Sequence, residues 1–117
     1  MIQHVSLEIP PEELDRAIEF WAIVGFDRIE VPDQLGEEIT WLGRDGFHIH
    51  LIATSEHSAS RRGHPAVVAA EFDACLSRLE EAGFALSDAP NLWGARRAYA
   101  ISPGENRVEL MEYPPES

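Results

Sequence analysis

The sequence has no lysine, a single cysteine and no long apolar run. All nine basic residues are arginines, set against 21 acidic residues, for a formal net charge of −12. Nucleic acid is excluded as a partner on this balance, because phosphate binding is led by clustered cations. With Cys75 alone, there can be no internal disulfide and no thiolate metal cluster. Its place inside an apolar helical period makes it a packing residue. No stretch approaches the roughly 18 apolar residues that cross a bilayer. The first residues also lack a basic-then-apolar signal pattern. The expectation is a cytoplasmic protein with no membrane partner.

What is present suits a globular chain: 44% hydrophobic and 26% charged residues over 117 positions, enough for one core and too few for two. One domain over residues 1–117 is expected. Residues 3–9 alternate, with Val5, Leu7 and Ile9 apolar and His4, Ser6 and Glu8 between them, the period of a strand. Pro10 and Pro11 stop it. Leu14, Ala17, Ile18, Trp21 and Val24 then recur at helical spacing up to Gly25. Strands follow at 26–31, 38–43 and 47–53, the last two joined by the Asp45-Gly46 turn. Residues 54–63 read as a linker.

The order then repeats. Residues 64–70 are strand-like, 72–82 carry a helical period through Phe72, Cys75, Leu76 and Leu79, and Gly83 closes that helix. Strands are expected at 84–87, 95–101 and 107–113, with Pro103-Gly104 as the last turn. His4 and His64 lie 60 residues apart, Gly25 and Gly83 58, and His50 and Glu109 59. Such near-constant offsets mark an internal duplication. The fold class expected is α+β: two tandem βαβββ units, about 1–54 and 64–117, forming a curved, partly open eight-stranded sheet with helices on its outer face.

Residues two apart on a strand share a face. Phe47, Ile49 and Leu51 therefore turn toward the helices, and His48 and His50 toward the concave side. By the same rule Val108 and Leu110 turn inward, and Arg107, Glu109 and Met111 are concave. His4, Ser6 and Glu8 join that side, so one cavity is expected to collect the polar groups. Three imidazoles (His4, His50, His64) and the Glu109 carboxylate suit a divalent ion such as Zn, Ni, Co, Mn or Fe, which share nitrogen and oxygen ligands.

The residues that carry this pattern resemble the vicinal oxygen chelate superfamily, also called the glyoxalase/bleomycin resistance/dioxygenase superfamily, over nearly the whole chain. They are His4-Val5-Ser6-Leu7, Ala17-Ile18-Glu19-Phe20-Trp21 and Val24-Gly25-Phe26 in the first unit. In the second they are His64-Pro65-Ala66-Val67, Phe72-Asp73, Leu79-Glu80-Glu81-Ala82-Gly83 and Asn106-Arg107-Val108-Glu109-Leu110. The resemblance implies metal ligation by His4, His50, His64 and Glu109, with Glu109 also a candidate to move a proton. It implies a lyase or isomerase acting on a small chelating substrate oriented by His48, Arg97 and Tyr99, and leaves a transferase or dioxygenase open. Homodimerisation is implied in the same way. The alternative is a metal-free protein of the bleomycin-resistance type that sequesters a cationic antibiotic. It draws on the −12 charge and on the Trp93-Gly94-Ala95-Arg96-Arg97 stretch.

Overall fold

A computed structural model describes residues 1–69 and 71–115. In chain order the elements are β1 (His4–Ile9), α1 (Leu14–Val24), β2 (Asp27–Ile29), β3 (Ile39–Arg44), β4 (Phe47–Ala53), β5 (Ala66–Val68), α2 (Phe72–Glu81), β6 (Leu86–Asp88), β7 (Arg97–Ser102) and β8 (Asn106–Met111). The βαβββ order occurs twice. The eight strands hydrogen-bond as two four-stranded mixed sheets, β1-β4-β3-β2 and β5-β8-β7-β6. Two compact units result, Met1–Ala59 with Pro103–Glu105, and Ser60–Ser102 with Asn106–Ser117.

In the first unit α1 is preceded by a 3-10 turn at Pro11–Glu13, where proline's fixed φ and missing N–H cost nothing. The helix buries Ala17, Phe20, Trp21 and Val24. Phe20 and Trp21 are fully buried, and each such side chain contributes about 1.5–3 kcal/mol. Gly25 ends the helix at φ 108°, and the Phe26 N–H donates to the Trp21 carbonyl at 2.7 Å. This tie explains why β2 begins at Asp27 rather than at Phe26: the Phe26 donor is spent on the helix cap. From the far end of the chain, the 3-10 turn Pro103–Glu105 joins this unit, where the Gly104 N–H donates to Glu13 Oε1 at 3.3 Å.

The second unit repeats the device. Gly83 has φ 87° and the Phe84 N–H donates to the Leu79 carbonyl at 3.0 Å, so β6 starts only at Leu86. β5 is shorter than residues 64–70 suggest. Pro65 has no ladder donor, although its carbonyl accepts from the Glu109 N–H at 3.0 Å, and Ala70 lies outside the described residues. Strand alternation is clean on β7 and β8: Ala98, Ala100, Val108 and Leu110 are buried, while Arg97, Tyr99, Arg107 and Glu109 occupy the other face. Among the described residues, no helix is long and apolar enough to cross a membrane.

Candidate functional site

In the first unit, β4 lies between β1 and β3, with Ser6 and Trp41 as the register partners of His50. Its polar face is a stack of rings. His50 sits between His4, at 4.1 Å and 18°, and Trp41, at 4.4 Å and 5°. His48 lies beside it, with Nδ1 at 3.2 Å from His50 Nε2. The stack leaves His50 only 8% exposed. Burial, then the neighbouring His4 and His48, push its pKa from the ordinary 6.5 down to about 4. His50 is therefore neutral at physiological pH and keeps an imidazole lone pair. His4 Nδ1 donates to Gln3 Oε1 at 2.8 Å, which leaves Nε2 as the free nitrogen of the neutral ring.

In the second unit, Glu109 on β8 is opposite Ala66 on β5 and Tyr99 on β7. Glu109 is 8% exposed and both carboxylate oxygens are engaged. Oε1 lies 3.0 Å from His64 Nε2, and Oε2 accepts from Arg97 Nη1 at 3.0 Å. Burial raises the Glu109 pKa, but the hydrogen bonds to His64 and Arg97 together outweigh it and hold the carboxyl below its usual range. His64 Nδ1 donates to the Arg62 carbonyl at 2.7 Å. The neutral ring then points a bare Nε2 lone pair at a carboxylate oxygen, so a proton or a cation must lie between them.

These observations test a divalent ion. A ring whose Nδ1–H is held by a carbonyl and whose Nε2 faces outward has the usual geometry of a ligating histidine. Two ligand atoms at right angles on one ion, with bonds of about 2.1 Å, lie roughly 3 Å apart. The His64–Glu109 separation of 3.0 Å meets that figure, and this pair fits. The stacked His4 and His50 hold their in-plane lone pairs in nearly parallel planes, so both meet one ion only after one ring turns. Within either unit, among the described residues, no three His, Cys, Asp or Glu side chains are gathered to hold a metal.

The glyoxalase/bleomycin resistance protein/dioxygenase superfamily profile matches residues 1–110. The chain belongs to this superfamily. A glyoxalase family protein from Bacillus anthracis aligns over 95% of this chain and 93% of its own, with 25% identity and a TM-score of 0.83. The fosfomycin resistance protein FosX from Listeria monocytogenes shares the fold at 18% identity and a TM-score of 0.78, covering 97% of this chain and 91% of its own. TnmS3, an antibiotic binding protein from Streptomyces sp. CB03234, does so at 23% identity and a TM-score of 0.69, covering 94% and 93%. Comparison with curated proteins gives no match.

For this glyoxalase-superfamily chain the remaining nominated residues fall as follows. Arg97 is spent internally: besides Glu109, its Nε and Nη2 donate to the Pro90 carbonyl at 3.0 and 2.7 Å, and its guanidinium lies over Trp93 at 4.9 Å. Its side chain is 6% exposed. Tyr99 meets the His64 ring edge-on at 5.5 Å. An open groove of about 520 Å³ lined by Arg28, Glu30, Val31, Glu37 and Ile39 contains none of the nominated residues.

Two residues that sequence reasoning did not nominate belong to these faces. Trp41 covers His50, and it lies 58 residues before Tyr99, so the repeat offset was the signal. Arg107 lies over the Tyr99 ring at 3.9 Å. It shares Glu109's face by strand parity, a position the alternation already implied.

Proposed function

We propose that the chain is a divalent-metal-dependent enzyme of the lyase or isomerase class acting on a small chelating substrate. The candidate ligands are His64 and Glu109 in the second unit and His4 and His50 in the first. The observation that carries the reading is the His64–Glu109 pair, 3.0 Å apart with Nδ1 anchored on the Arg62 carbonyl. Membership of a superfamily whose description names glyoxalases and dioxygenases supports an enzyme.

Held by these side chains, a divalent ion would supply Lewis-acid polarisation of the substrate. The rest of the work falls to this chain's side chains. Arg97 holds Glu109 as a carboxylate and fixes one of its oxygens. A carboxyl kept below its usual range suits holding a cation better than general-base work, which favours a pKa near the operating pH. Glu109 would accept a proton only when its contact with His64 or Arg97 loosens. His48, half-buried beside His50, would orient a substrate in the first unit, and the Tyr99 phenol would do so in the second.

The cation-sequestering alternative, for which TnmS3 would be the analogue, has less support. The Trp93 ring already carries a cation, the chain's own Arg97.

The test is elemental analysis of protein purified without chelator, followed by calorimetric titration with Ni, Zn, Mn and Co. Micromolar or tighter binding is expected, weakened by roughly a hundredfold or more in Glu109→Gln, since an anionic ligand is lost. Absence of micromolar binding by all four ions would overturn the reading.

A further inference from the structure

The polar face of the second sheet carries two arginines with opposite situations. Arg97 has Nε, Nη1 and Nη2 committed to Pro90 and Glu109. Arg107, half-buried on β8, has no carboxylate partner among the described residues, in a chain where acidic residues outnumber basic ones 21 to 9. Its guanidinium lies over the Tyr99 ring, 3.9 Å from the centroid. A contact with a ring face modestly favours this position and consumes none of the five N–H donors.

We propose that Arg107, seated on Tyr99, receives a terminal oxyanion of the substrate, a carboxylate or a phosphonate or phosphate group. Donors in a fixed fork match two oxygens of such a group, and a pre-positioned side chain loses little entropy on binding. The placement gives the anchor its meaning. Tyr99 is the ladder partner of Glu109 and touches His64 edge-on at 5.5 Å. Arg107 is two residues before Glu109 on the same face, about 7 Å along the strand. A molecule with an anionic end and a chelating end a few bonds apart spans that interval.

With a net charge of −12 the molecule as a whole repels an anion, and a local cation offsets that repulsion. The inference deepens the proposed function by naming the substrate class, but it concerns side chains that act without a metal.

The experiment uses the full chain freed of metal with EDTA, titrated with methylphosphonate and followed by amide and arginine side-chain NMR. Its uncharged dimethyl ester serves as the control. Saturable shifts centred on Arg107 and Tyr99, with a dissociation constant of roughly 1–10 mM and no response to the ester, are expected. Arg107→Gln should weaken binding at least about tenfold. Arg107→Lys, which keeps the charge and loses the fork, should fall between.

Tyr99→Leu removes the platform and should weaken binding as well, which preserves the test if Arg107→Gln does not fold. No saturable shift, or equal affinity in the folded Arg107 and Tyr99 variants, overturns the inference. Failure of metal binding leaves this result untouched, and methylphosphonate failure leaves metal binding untouched, so the two readings fail separately.

Discussion

Acidification should destabilise the metal-free protein partly through one residue, His50. Its ring is enclosed by His4 and Trp41 and its pKa is lowered from 6.5 to about 4 by burial, then by His4 and His48. The unfolded chain therefore takes up a proton near pH 6.5, and the folded one only near pH 4. Between these values the unfolded state binds more protons, so stability falls as pH drops through that window and is unaffected above it. At about 1.4 kcal/mol per unit of separation, the loss from His50 is about 2 kcal/mol by pH 5 and about 3 by pH 4.

Urea denaturation in EDTA, of the native sequence and of His50→Gln at pH 7.5 and at about pH 5, isolates the effect, because the carboxylates titrate alike in both. The variant should lose about 2 kcal/mol less over the interval. Losses that agree within about 0.5 kcal/mol, or a His50 Hε1 resonance titrating near 6.5, would refute the reasoning.

Gly25 holds φ 108° and an added Cβ would meet Arg44 Cδ at 3.2 Å, so Gly25→Ala should cost about 1–3 kcal/mol in urea unfolding. A change below about 0.5 kcal/mol would show that the α1 cap tolerates a side chain. Arg97→Lys keeps the charge but cannot reach the Pro90 carbonyl and Glu109 together. Hydrogen exchange across residues 89–95 should rise, and unchanged protection there would mean that Arg97 does not hold the segment.

The second unit shows why fixed side chains matter to the proposed chemistry. One chain of contacts runs from the Arg62 carbonyl through His64 and Glu109 to Arg97 and the Pro90 carbonyl. Trp93 adds a face to Arg97 and donates its own N–H to the Tyr113 carbonyl at 3.2 Å. Glu109 is thus held from both sides by groups that are themselves held, the arrangement that keeps a ligand's geometry from drifting. The Arg96 guanidinium, over Phe72 and paired with Asp73 and Glu112, ties α2 to the end of β8 in the same unit.

Much of the fold was legible in the sequence. The period of two gave β4 at residues 47–53 and the period of 3.6 gave α1 up to Val24, where the observed elements lie. The offsets of 58 to 60 residues implied two equivalent units, and face parity put Glu109 and Arg107 on one side of β8. These are properties of a chain's own repeat, and side-chain direction follows from backbone geometry alone.

Tertiary structure decided what each polar group contacts. The sequence nominated Arg97 to bind substrate, yet only the folded loop brings the Pro90 carbonyl and Glu109 to its three nitrogens. It marked His50 as a ligand candidate, but burial between two rings depends on the register of β4 against both β1 and β3. The Phe26 and Phe84 donors, spent on helix caps, shortened strands that the apolar pattern extends. Periodicity assigns a residue to a face, whereas partners depend on strand register and on competition for each donor, and those exist only once the chain has closed on itself.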